Sequence, residues 1–122
     1  MSLAPAQAAY AQAQHALKAL WPELEFAGRL IDLRREHGDL DTEAWGDAHA
    51  ELEAVIGYTE AREAYDTALD DLIGWGRGVV ALMWPRYAAR FRGASQAEVL
   101  AQLSDRGRWG GLAQILLRLP AP

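Results

Sequence analysis

The sequence predicts an all-α fold, a compact bundle of five or six helices forming a single domain over residues 1–122. Three observations predict it. Apolar residues recur at three- and four-residue spacing along most of the chain, with no convincing two-residue alternation. The stretches between these periodic segments are short, as in helix bundles. Capping residues, prolines and glycines fall at the segment ends, where helices start and stop.

The first helix is expected over about Ala4 to Leu20, with Leu3, Ala6, Tyr10, Ala13, Leu17 and Leu20 on one stripe. Proline at 22 disfavours helical backbone at Trp21 and suits the first turn of a second helix, about Glu23 to His37. Leu24, Ala27, Leu30 and Ile31 are its expected inner face, and Gly38 is its expected C-terminal cap. Arg34, Arg35 and His37 meet the negative end of the helix dipole. Asp41 is a natural N-cap for a third helix, with Leu40 and Trp45 placed for a hydrophobic staple. Trp45, Ala48, Leu52, Val55 and Ile56 share one face of that helix, opposite Glu43, Asp47 and Glu51.

Beyond Gly57 the apolar phase shifts to Ala61, Ala64, Tyr65, Ala68, Leu69 and Leu72. The stretch GYTE therefore marks a junction, with Thr59 as the cap of a fourth helix ending near Ile73; one long helix over 43–73 is the alternative. GWGRG at 74–78 follows an amphipathic helix and no strand, and it lacks a Walker lysine, so it is expected as punctuation and not as a phosphate loop. Should the helix instead run through, Gly74 and Gly78 would permit a close crossing. A fifth helix over about Val79 to Phe91 is apolar along Val80, Met83, Trp84, Tyr87 and Phe91, with Pro85 as a kink or restart. Ser95 and Glu98 form a capping box for a sixth helix starting near Gln96. The closing helix LAQILLRL is apolar on nearly every side except Gln114 and Arg118, and Pro120 ends it. ALWP and LMWP echo each other at 19–22 and 82–85 without extending into a repeat.

Composition narrows the chemistry. There is no cysteine, which excludes disulfides, thiolate metal sites and cysteine nucleophiles and fits a reducing compartment. Neither a signal peptide nor a membrane-spanning run is visible, so a cytoplasmic protein is expected. Abundant alanine and eleven arginines against one lysine suit a GC-rich bacterial genome. Charge is unevenly placed: residues 1–75 carry fifteen acids and five bases, whereas residues 76–122 carry seven arginines and two acids. Five tryptophans imply a core with several large anchors.

No catalytic residue stands out. Ser2, Ser95 and Ser104 lie at a terminus, a cap and a helix end, and none sits in a nucleophile-elbow motif. His15 and His37 are expected at the surface. His49 precedes Glu53 by one turn, and such a pair can share a metal or a proton, but no second histidine joins it. Glu60 and Glu63 belong to an acidic stretch reaching Asp71, yet the Glu-x-x-Asp needed to complete a magnesium cluster precedes them and straddles a cap. His49, Glu53, Glu60 and Glu63 are thus weak metal candidates, and no metal or cofactor is expected.

The basic segment is the remaining candidate. Arg77, Arg86, Arg90, Arg106 and Arg108 are the expected ligand-binding residues for a nucleotide or nucleic-acid phosphate, in a basic run that also holds Arg92 and is interleaved with Trp84, Tyr87, Phe91 and Trp109. Against nucleic acid stands the acidic chain as a whole, with a pI near 5.1. Charge complementarity between the basic half and acidic residues 1–75, within one subunit or across a dimer, is the preferred reading of the segment. The leading expectation is a non-enzymatic protein-interaction or homo-oligomeric module. Its surfaces would be the acidic faces around 43–53 and 60–71 and the C-terminal helix, where Leu112, Ile115, Leu116 and Leu119 are the expected dimer interface. A phosphate-ligand binder is the alternative, and a metal-dependent all-α hydrolase ranks below it.

Overall fold

The computed structural model describes residues 3–121 and is all-α, with no strand among them. In chain order the helices are α1 (Leu3–Ala19), α2 (Trp21–Glu36), α3 (Thr42–Val55), α4 (Tyr58–Leu82), the single turn α5 (Trp84–Tyr87), α6 (Gln96–Leu103) and α7 (Trp109–Leu117). Short 3-10 turns at Ala88–Phe91 and Arg106–Arg108 complete the path. Among the described residues, no helix is long and apolar enough to cross a membrane. The chain divides into two compact units, one holding Ala13–Tyr65 and the other the stretches before and after it.

The Ala13–Tyr65 unit is built on the α2–α3 hairpin. Pro22 occupies the first turn of α2, where its missing N–H costs nothing. Gly38 takes φ +80 beyond its C-terminus, a left-handed value that suits glycine. Asp41 then caps α3 by accepting from the Ala44 N–H at 2.8 Å. Gly57, at φ +81, separates α3 from α4, so the expected junction is real, although α4 begins at Tyr58 and not behind a Thr59 cap. The expected inner faces need correction: Leu30 is 51% exposed and Val55 78% exposed. Gly28 is the buried position on α2, and α3 has none.

Among the described residues, the other unit holds every buried hydrophobic residue except Leu17. Leu3, Ala6 and Tyr10 of α1 join Leu72, Ile73, Val79 and Val80 of α4, with Tyr87, Phe91, Val99, Leu103, Leu112, Leu116 and Leu119. Tyrosines, not tryptophans, are the large anchors. Tyr10 and Tyr87 are almost fully buried, and Trp21 is 45% exposed. The Tyr87 hydroxyl donates to the Pro120 carbonyl at 3.1 Å, which offsets the cost of burying it.

The largest departure from expectation lies at the glycines. α4 does not end at Ile73 but runs through Gly74, Gly76 and Gly78 to Leu82. A Cβ on Gly76 would come within 2.6 Å of the buried Leu116 side chain, whereas Gly74 and Gly78 have open space where a Cβ would stand. The close approach thus exists at the middle glycine. What stops α4 is Pro85: a helix continued to that residue would set the proline ring against the carbonyl four residues back. Met83 breaks the backbone at φ −132, ψ 29, and α5 restarts with Pro85 in its first turn, so no continuous helix spans 79–91.

Helix C-termini in this unit are closed by side chains. Gln7 Nε2 donates to the Leu116 and Leu119 carbonyls at 2.8 and 2.9 Å. Gln96 Nε2 does the same for Val80 at 2.8 Å, and Arg77 and Trp109 both donate to Leu103, at 2.7 and 2.9 Å. These carbonyls would otherwise lack intrahelical partners.

Candidate functional site

The arginines of the C-terminal stretch separate into two groups. Arg77 is spent on the Leu103 carbonyl. Arg86 donates to the Ala121 carbonyl at 3.2 Å and lies over the Tyr87 ring. Arg106 stands 3.8 Å from the Asp70 carboxylate and 5.2 Å from the Trp109 ring centroid. These three expected ligand residues have structural partners and do not converge.

Arg90 and Arg108 do converge, and the structure adds Arg92 and Arg118 to them. All four line one open groove of about 540 Å³, together with Gln102, Gly111, Leu112, Gln114 and Ile115. Each is positioned by a different local feature. Arg90 lies in the 3-10 turn over Ala88–Phe91, anchored by buried Phe91, whose ring stacks on Trp84 at 5.7 Å. Arg108 is the N-cap position of α7 and Arg118 its C-cap. Ten residues of helical rise put about 15 Å between those two backbone positions. Leu112, 6% exposed, and half-buried Ile115 form an apolar floor between the basic ends.

Arg92 is the unusual member. Its backbone sits at φ 52, ψ 44, the one non-glycine residue with positive φ among those described, and Gly93 follows at φ +82. A branched-free side chain in that region still costs about 1–2 kcal/mol relative to right-handed backbone. Arg108 pairs with Asp105 at 3.3 Å. Arg90, Arg92 and Arg118 have neither an ion-pair nor a hydrogen-bond partner among the described residues. Three uncompensated guanidinium groups around one depression, each with five donors, can hold several anionic oxygens at once. Arg118 lies one turn beyond Gln114, and that polar pair on an otherwise apolar helix is the signal the sequence offers for it. Arg92 is visible as part of the basic run, but its left-handed backbone is not.

A second polar cluster lies on the α2–α3 hairpin. Asp32 Oδ1 accepts from Trp45 Nε1 at 2.8 Å and from His49 Nε2 at 2.9 Å. The Trp45 indole first, and the His49 imidazole next, hold the Asp32 carboxyl below its ordinary range, against a smaller opposing effect of desolvation. Arg35 lies 4.5 Å over the Trp45 ring, and the Trp45 and His49 rings meet edge to face at 4.9 Å. The imidazole rests against Gly28, where a Cβ would stand 3.4 Å from Cε1. His49 is therefore committed to Asp32 on the neighbouring helix and not to Glu53 on its own. Among the described residues, no three histidine or carboxylate side chains gather into a metal-binding group, and Glu53, Glu60 and Glu63 form none with His49.

The expected interface residues on and just beyond α7 also have other roles. Leu112, Leu116 and Leu119 are buried in their own unit, and Ile115 is half-buried on the groove floor. Comparison with protein-family models, with curated proteins and with solved structures finds no match for this chain.

Proposed function

We propose that the protein is a small, non-enzymatic binding module of the bacterial cytoplasm whose arginine groove holds an extended phosphate-bearing ligand, a nucleotide or a nucleic-acid backbone. The observation that carries this reading is the convergence of Arg90, Arg92 and Arg118, all without partners among the described residues, on one groove with Arg108. Arginines whose backbone positions lie about 15 Å apart along α7 favour a chain of anionic groups over a single ion. No aromatic side chain is among the described residues lining the groove, which favours contact with phosphates over stacking of bases.

The test is fluorescence anisotropy with a short labelled single-stranded oligonucleotide, and inorganic triphosphate as competitor. Binding is expected to be lost in Arg90→Glu combined with Arg118→Glu and retained in Arg86→Glu, which lies outside the groove. Equal binding after the double reversal removes the groove as the site. Failure of both probes to bind the unaltered protein removes the function.

A homodimer is the assembly state we propose for this module. The exposed Phe26 and Leu30 side chains of α2 support it. The α7 leucines that first suggested it do not, since their burial is accounted for within one chain.

A further inference from the structure

α2 presents a self-complementary face to solvent. With 100° per residue, Glu23, Phe26, Leu30 and Arg34 fall within about 80° of one another, on the side opposite Gly28 and Asp32. Gly28 and Asp32 are the α2 residues that meet His49 of α3, so the Phe26 face points away from the hairpin partner. Phe26 is 71% exposed and Leu30 51% exposed, and half-buried Ala27 and Leu33 flank them. Glu23 lies one turn before Phe26, and Arg34 one turn after Leu30. Both charged residues are exposed, and neither has an ion-pair or hydrogen-bond partner among the described residues.

The order along the face is acid, apolar, apolar, base. An antiparallel copy of the same face reads base, apolar, apolar, acid. A two-fold axis between the two facing helices, level with Gly28 along each, therefore sets Glu23 against the partner's Arg34 and Phe26 against the partner's Leu30, and repeats both contacts by symmetry. We propose that this face of α2 is a two-fold self-association surface whose occupant is the same face of a second copy of the chain. It rests on the homodimer proposed above and gives that dimer a location on α2, which contributes no residue to the arginine groove. One helix pair is a small contact, so the dimer is weak and concentration-dependent. Its ion pairs are exposed, so salt loosens it.

Sedimentation velocity of the full chain over a concentration series tests this, with circular dichroism to check that each variant remains folded. A reversible monomer–dimer equilibrium is expected, and Leu30→Glu and Phe26→Ser should each leave monomer only. Glu23→Arg alone and Arg34→Glu alone disturb two symmetry-related pairs each and should raise the dissociation constant about 2- to 30-fold. The two together restore opposite charges and should return it toward the starting value. Monomer at every concentration overturns the surface and the homodimer alike. A dimer that persists unchanged in both Leu30→Glu and Phe26→Ser overturns the surface alone. A double charge variant no tighter than either single one overturns the antiparallel arrangement.

Discussion

Asp32 accepts two hydrogen bonds through a single carboxylate oxygen, and that choice ties α2 to α3. Its pKa is lowered in the folded state, so the stabilisation it supplies is fully present above the ordinary carboxylate range. It is lost as pH falls through the depressed folded value. Asp32→Asn should consequently flatten the acid limb of a pH–stability curve, measured by urea unfolding at several pH values between 2 and 7, while lowering stability at neutral pH. A variant with the same acid limb as the parent would mean that the carboxylate contributes nothing to the hairpin. Arg92 represents the opposite balance at the same scale. Its left-handed backbone is a cost that glycine would not bear. Arg92→Gly is therefore expected to leave the melting temperature unchanged or slightly raised while weakening oligonucleotide binding severalfold. Loss of stability with binding intact would contradict the role given to that guanidinium.

At the scale of elements, α4 shows what periodicity can and cannot carry. Three glycines in five residues of helix cost about 1 kcal/mol each relative to alanine, and that propensity argues for a break at 74–78. The helix persists because Leu72, Ile73, Val79 and Val80 are buried on either side of the glycines and Leu116 packs where a Gly76 side chain would be. Tertiary burial outweighs local preference, and nothing in residues 74–78 alone announces Leu116. Gly76→Ala should destabilise by about 1–3 kcal/mol through overpacking, against its helix propensity. Gly74→Ala and Gly78→Ala, facing open space, should stabilise by up to about 1 kcal/mol. Chemical denaturation of the three variants gives the comparison, and equal effects at all three positions would contradict the close approach at Gly76. Helix ends were more legible than helix middles. The Asp41 and Ser95 caps, the Gly38 and Gly57 stops and the restart at Pro85 depend on residues adjacent in sequence. The groove was half legible. Arg90 and Arg108 were visible as charges, but the diversion of Arg77, Arg86 and Arg106 depends on the distant Leu103, Ala121 and Asp70.

Over the whole molecule, charge divides with the two units. Ala13–Tyr65 holds twelve acids against five lysines and arginines, and the remainder holds seven arginines against five acids. A chain that is acidic overall repels a polyanion at long range, so the binding proposed for the groove would act through short-range contact and not through steering. With three or so phosphates neutralised, the logarithm of the binding constant should fall against the logarithm of salt concentration with a slope of about −2 to −3. Anisotropy titrations at several sodium chloride concentrations measure it, and a slope near zero would mean that phosphates are not what the groove touches. The packing of Leu116 against Gly76 has a consequence of another kind, written in descent and not in energy. Positions 76 and 116 share one volume, so a lineage cannot enlarge the first without shrinking the second. Any relative of this chain with alanine or serine at 76 should carry a smaller side chain at 116, and the two substitutions should appear together in its history.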